Sequence, residues 1–462
     1  MKVNSSSMQK GYQEGMMRST LCLWLGMSML TDLLFLDLNI NFGSYFFLIV
    51  INSTMVLWNM INIKMRPYSI FMFVNLFIYA FFILANAIQY SNSSNVLTFY
   101  IVFQEGDYIE FQFILMILIA LYSIIYNYGQ KNINSNVILK IKEFNFSSKK
   151  LLLISLIFTF LILAYYKFNP YLLFARGIGE EMMLESGIRR SAQRDSNTSM
   201  LLFNNFIRLI PWACCIIGLI FSVKKRILLL LGIGAFLTVC PTGIPRNAAA
   251  MCWIPIVILV FRRRIKGHRF LYLMFIGLLV IFPLLDNFRR FDGSFKFNFG
   301  FDYLDSMNFD ASQVLMAVIK LDVVSMGRQL LGVLFFFVPR SIWPDKPIGS
   351  GHFLVTEMGG WFTNVSMPVF AEGYMNFGFL GMIIFTILLA LFSKKMDNIY
   401  WSDSYAPSIW QGYYYISLGA VMFIMRGDLM SSFAYTVGIC CCYYFVSRLV
   451  VIRNHTNSAL IS

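Results

Sequence analysis

Apolar stretches long enough to cross a bilayer recur along almost the whole of this 462-residue chain. A helical span needs roughly 20 mostly apolar residues to cross a hydrocarbon layer roughly 30 Å thick. About twelve segments approach that length, with cores near 21–39, 44–62, 68–88, 109–128, 151–168, 200–222, 227–241, 247–261, 270–287, 374–393, 408–425 and 429–448. Lipid offers the backbone no hydrogen-bond partner, so segments of this kind satisfy themselves as helices. The expected fold class is therefore an all-α polytopic membrane protein, a single integral membrane domain over residues 1–462. Composition agrees: 13% of residues are charged, against roughly 25% in a soluble protein. Asp32 and Asp37 interrupt the first segment. The polar start before it lacks the pattern of a cleaved signal, so the segment from about Leu21 reads as a signal anchor.

Charge placement sets the expected orientation. The net charge is +14, but no basic stripe lies on a soluble domain, which excludes a nucleic-acid partner. With the N-terminus inside, the inward loops hold Lys64 and Arg66, Lys131 to Lys150, Lys224 to Arg226, Arg262 to Arg269, and Lys394 with Lys395. The outward loop 90–108 holds Glu105 and Asp107 and no Lys or Arg. This is the positive-inside pattern, and it places both termini in the cytoplasm. The eight cysteines lie in or beside apolar segments. Neither their spacing nor their neighbours suggest a metal site or a disulfide framework.

Two outward segments stay long, 169–199 and 288–373. The second is too apolar for a solvent loop and too broken to span, so re-entrant or interfacial helices are expected in it. Its run Leu330–Val338 is followed by a cluster of prolines, a tryptophan and paired charges. Against the inward bias, these segments carry Arg176, Arg189, Arg190, Arg194, Arg289, Arg290, Arg328 and Arg340, and the short turn 241–246 adds Arg246. Arg208 sits inside an apolar segment, where an unpaired charge costs roughly 2.5–3.5 kcal/mol at mid-membrane. Such outward arginines either pair with acids such as Glu180, Glu181, Asp195 and Asp292 or bind an external anion. Arginine's planar fork suits diphosphate oxygens. Arg176, Arg208, Arg246, Arg289, Arg290 and Arg340 form the candidate set.

Transfer to a sugar hydroxyl also needs a base or polarising acceptor within reach. Glu372, at the mouth of the tenth segment, and His352, the only outward histidine, are the first candidates; Asp345 is a third. Tyr374, Trp343, Trp361 and Phe301 are either a sugar-stacking surface or an interfacial aromatic belt. Phosphate-cradling loops, dinucleotide glycine motifs, HExxH, GxSxG and an Asp-x-Asp metal site are all absent from the sequence.

The run Pro339-Arg-Ser-Ile-Trp-Pro-Asp-Lys-Pro-Ile-Gly-Ser-Gly351, followed by Glu372-Gly-Tyr-Met-Asn-Phe-Gly378 and preceded by the turn Thr242-Gly-Ile-Pro-Arg246, resembles the Wzy-type O-antigen (oligosaccharide repeat-unit) polymerases. An arginine, ten residues and a glycine recur in some members' large loops; here Arg176 reaches Gly187 and Arg340 reaches Gly351. The resemblance implies about twelve spans with two large periplasmic loops, a glycosyltransferase C-like membrane fold in the bacterial inner membrane. It implies an enzyme that joins undecaprenyl-diphosphate-linked oligosaccharides, moving the growing glycan onto a new repeat unit without nucleotide sugar, metal or cofactor. Arg340, Glu372 and His352 would then be catalytic, with Trp343, Asp345 and Tyr374 against the glycan. A chain-length regulator and a repeat-unit flippase are the implied partners. An O-antigen ligase shares the architecture and uses a loop histidine; a polysaccharide exporter is the rival of another class.

Overall fold

The computed structural model describes residues 43–61, 66, 68–129, 146–169, 173–174, 203, 206–262, 264–265, 269–281, 284, 301–362, 365–402 and 408–450. Every regular element among them is helical. In chain order these are α1 (Ser44–Ile61), α2 (Ile70–Ser91), α3 (Glu105–Asn127), α4 (Ser148–Tyr165), α5 (Ile210–Ile220), α6 (Lys225–Thr238), α7 (Arg246–Phe261) and α8 (Arg269–Ile276). After them come α9 (Ala311–Lys320), α10 (Arg328–Leu334), α11 (Ser350–Glu357), α12 (Val369–Ser402), α13 (Ile409–Arg426) and α14 (Leu429–Val450).

Six of these, α1, α2, α3, α4, α12 and α14, are long and apolar enough to cross a membrane. The segments expected at 200–222 and 247–261 appear as the shorter helices α5 and α7, and α6 has 14 residues. The first expected segment, 21–39, lies outside the described residues, as does most of the loop 169–199. The segment 288–373 contains the short helices α9, α10 and α11.

The helices differ in which surfaces they bury. The apolar core of α2 is buried throughout. Its seven residues Ile78–Leu84 are wound as a π-helix between two α-helical pieces. Phe47, Ile51 and Trp58 on α1 and Leu153, Leu156 and Phe160 on α4 are exposed, as lipid-facing residues must be when no water competes for them. Around α2, polar side chains join the helices. Asn52 donates to Gln112 Oε1 at 2.8 Å, Gln112 donates to Asn86 Oδ1 at 2.9 Å, and Tyr45 donates to the same atom at 3.0 Å. Apolar surface gives little drive for association in lipid, so such bonds set which helices adjoin.

The segment 301–313 is bound to the C-terminal end of α2. Gln89 donates to the carbonyls of Leu304 and Phe309, at 3.2 and 3.0 Å, and Gln313 accepts from Val96 N–H at 2.9 Å. At the other end of α2, Ser69 caps the helix by accepting from Met72 N–H at 3.0 Å. Asp397 of α12 accepts from Ile70 and Phe71 N–H, at 2.8 and 3.2 Å, and from the hydroxyls of Tyr126 and Tyr414, each at 2.9 Å. Arg66 extends this group, donating to the Tyr126 hydroxyl at 2.9 Å and to Asn398 Oδ1 at 2.8 Å.

Candidate active site

At the opposite end of α12 the helix is broken. Phe377 and Gly378 leave helical geometry, and Gly378 adopts φ 62°, ψ −149°, a region essentially confined to glycine. A broken helix at membrane depth must find new partners for its freed backbone groups. Here Ser325 N–H donates to Met375 O at 2.6 Å and Gly327 N–H to Asn376 O at 2.9 Å. The Asn376 side chain accepts from Leu330 N–H at 2.8 Å, at the start of α10. The short outer piece of α12 therefore stands on its own, fixed to the segment 325–330, and it carries Glu372 and Tyr374.

Glu372 is fully buried. One carboxyl oxygen accepts from Leu429 N–H at 2.8 Å, and the other from Ser350 Oγ at 2.9 Å. Leu429 begins α14 and Ser350 begins α11, so one side chain ties together three elements. Asp428 sits beside it, within electrostatic reach of Glu372. Burial pushes the Asp428 carboxyl above the usual aspartate range, while the N–H groups of Ser431, Gly351, Ser350 and Met430 pull the other way. Its Oδ1 accepts from Ser431 N–H at 3.0 Å. Both acids thus lie at the N-termini of α11 and α14, where the helix dipoles favour negative charge.

The same turn brings in a cation. Arg426 closes α13, contacts Asp310 Oδ1 at 3.8 Å and donates to Asn247 Oδ1 at 3.3 Å. Asp310 in turn accepts from Ser366 N–H at 3.0 Å. Asn247 lies at the head of α7, so this helix is tied to the cluster through Asn247. Arg426, Asp310, Asp428, Asn247 and Ser350 are not among the sequence candidates. The signal for two of them was present: Arg426 and Asp428 flank Gly427 within an otherwise apolar run from Ile416 to Val446.

Before α11, residues Pro339 to Pro347 form a compact turn built by cations on backbone carbonyls. Arg340 donates to Lys346 O at 2.7 Å and Pro347 O at 3.2 Å. Lys346 donates to Phe336 O at 2.5 Å and Val338 O at 3.0 Å. Burial, and then the charge of Arg340, pull the Lys346 ammonium below the usual lysine range. Arg328 reaches Asp345 O at 3.4 Å. Arg340 and Asp345 are exposed, Trp343 is half-buried, and His352 is exposed on the first turn of α11. Arg340 uses part of its five-donor fork on the turn, so the rest of that fork faces solvent. Tyr374 is buried and donates to Asp322 at 2.8 Å; it fixes the loop instead of lining an open surface.

Arg208 is buried at the 3₁₀ turn leading into α5. Its Nε donates to Thr238 O at 2.6 Å, its guanidinium lies 5.5 Å from the centre of the Tyr166 ring, and one terminal nitrogen has no hydrogen-bond partner. Thr238 ends α6, just before the turn to Arg246. The structure therefore brings Arg340, His352 and Glu372 together around the start of α11, whereas the partners of Arg208 are Thr238 and Tyr166 and the Arg246 side chain lies outside the described residues. Arg176, Arg289 and Arg290 lie outside the described residues. Among the described residues, no group of three His, Cys, Asp or Glu side chains is placed to share a metal ion. No family model, curated protein or solved structure matches the chain.

Proposed function

We propose that this chain is a membrane glycosyltransferase of the Wzy type, with about twelve spans and its reaction at the periplasmic face of a bacterial inner membrane. It extends a glycan carried on undecaprenyl diphosphate. The observation that supports this reading best is the clamp of Glu372 on Ser350 and Leu429. Through it the turn carrying Arg340 and His352 is locked to the ends of α12 and α14, so exposed polar groups are held rigidly where a lipid-linked substrate arrives. Positioning of that kind is a large part of catalysis when the leaving group is already good.

In this reading the free donors of Arg340 neutralise the diphosphate. His352 takes the proton of the acceptor hydroxyl as its oxygen bonds to the anomeric carbon. The bond from that carbon to the diphosphate oxygen breaks, and undecaprenyl diphosphate leaves with the electron pair. Glu372 serves this step by holding the turn, since its buried oxygens are both engaged. Trp343 and Asp345 are the surface groups placed to meet the glycan.

The test is purified protein in nanodiscs with a lipid-linked repeat unit. Products two or more repeats long are expected. His352→Ala should lower the rate by about 10²–10⁴, the usual worth of a general base, with folding unchanged because the side chain is exposed. Transfer to a lipid A core with no chain extension would make the protein a ligase. No turnover with either acceptor would remove the glycosyltransferase reading.

A further inference from the structure

We infer that the face shared by α6 and α7 is a binding groove for one anionic phospholipid of the surrounding bilayer. The groove is lined by Lys225, Leu228, Leu229, Gly232, Ile233 and Phe236, then Leu237 and Trp253. The α6 residues follow the helical repeat, so they form one straight stripe. From Lys225 to Leu237 it runs roughly 18 Å at 1.5 Å per residue, a little more than half the ~30 Å hydrocarbon thickness. That is the depth of one leaflet and one acyl chain.

The groove is open at Gly232, where a Cβ would meet no atom within 4 Å. Its far wall is rigid. Trp253 donates its indole N–H to Val239 O at 2.8 Å, and its ring meets Phe236 edge-on with centroids 6.0 Å apart. Leu229 is 67% exposed and Ile233 47%, so the stripe faces outward.

Charge at one end selects the headgroup. Lys225 is in the groove, and Lys224 and Arg226 flank it, all exposed. Arg262 donates to Ser222 Oγ at 3.0 Å, which draws the basic end of α7 against the loop that precedes Lys224. An apolar channel with cations at one end is complementary to a phosphate headgroup on an acyl chain. This site is separate from the cluster at Glu372, and the inference stands whether or not the protein is a glycosyltransferase.

Brominated acyl chains quench nearby tryptophan, so the site can be read directly. The full chain is placed in vesicles containing dibrominated phosphatidylglycerol or dibrominated phosphatidylcholine. The Trp253 contribution is the difference between wild type and Trp253→Phe. Phosphatidylglycerol should quench Trp253 at a several-fold lower mole fraction than phosphatidylcholine. A basic residue near an anionic headgroup is worth about a factor of five, so Lys225→Gln should shift the phosphatidylglycerol curve by about that much and leave the phosphatidylcholine curve in place. Gly232→Leu fills the groove and should abolish the preference without unfolding the protein. Equal quenching by the two lipids in wild type, or an unchanged preference in both variants, would overturn the proposal.

Discussion

Glu372 shows how much one buried side chain can control. Its two oxygens satisfy Leu429 N–H and Ser350 Oγ. Glu372→Ala strands both donors, each costing about 1–3 kcal/mol when left unpaired. Glu372→Gln keeps an acceptor for Leu429 and can donate to Ser350. The alanine variant should therefore lose about 2–5 kcal/mol of stability in denaturant unfolding and the glutamine variant clearly less. If Glu372→Gln is as stable as wild type yet inactive, Glu372 is a reacting group and not a clamp. Asp428 gives a pH signature. An unfolded aspartate titrates near 3.9, but burial holds the proton of folded Asp428 to higher pH. The folded state binds more protons in that interval, so the stabilisation is complete below about pH 3.9 and is lost as pH rises through the folded value. The thermal midpoint of wild type, relative to Asp428→Asn, should fall as pH rises from about 4; parallel curves would remove Asp428 as the cause. At this scale the sequence was legible in part. Glu372 stood out because a carboxylate at the start of an apolar run needs a partner. Its partners Ser350 and Leu429 are an ordinary serine and a backbone group, and no residue pattern distinguishes those.

The break in α12 is an element-scale feature that local sequence half reveals. Phe377-Gly-Phe-Leu-Gly381 marks a weak point, yet the apolar run continues unbroken, so composition alone reads a single span. The chain can turn there because Gly378 has positive φ. It can close on itself because a Cβ on Gly381 would overlap the Gly373 carbonyl oxygen. Gly381→Ala must push backbone against backbone, and Gly378→Ala must hold a strained conformation costing of order 1–3 kcal/mol. Both should lower the thermal midpoint in detergent, with Gly381→Ala the worse. The outer piece of α12 should also loosen, seen as faster hydrogen exchange at Ser325 and Gly327, whose N–H groups bond to Met375 and Asn376. Unchanged exchange in a destabilised Gly381→Ala would separate the break from the docking of 325–330. The π-helical stretch Ile78–Leu84 in α2 has no comparable signal in its residues, since every position is apolar and buried.

For the whole molecule, the two buried carboxylate clusters give the bundle its polarity. Asp397 lies 19 positions beyond the break at Gly378, or roughly 28 Å of helix, close to the hydrocarbon thickness of a bilayer. Around Asp397 the structure collects Arg66, bonded to Tyr126 and Asn398, and Lys394, bonded to Tyr128 O. Arg262 is within electrostatic reach of Tyr400 and carries Ser222, hence the loop Lys224–Arg226, to the same end. Basic groups that are far apart in sequence therefore share one face. At the Glu372 face the described cations are occupied differently: Arg426 contacts Asp310, Arg340 and Lys346 bond to loop carbonyls, and Lys320 pairs with Asp107 at 2.6 Å. The positive-inside bias predicts that the face gathering Arg66, Lys394, Arg262 and Lys224–Arg226 is the cytoplasmic one. The expected outcome is that an alkaline phosphatase fusion after Trp361 is active and one after Lys395 is inactive, with the opposite result for a cytoplasmic reporter. Reversed activities at both positions would invert the orientation, and the platform of Arg340 and His352 would then face nucleotide-rich cytoplasm, where a reaction on externally displayed lipid-linked glycan has no substrate.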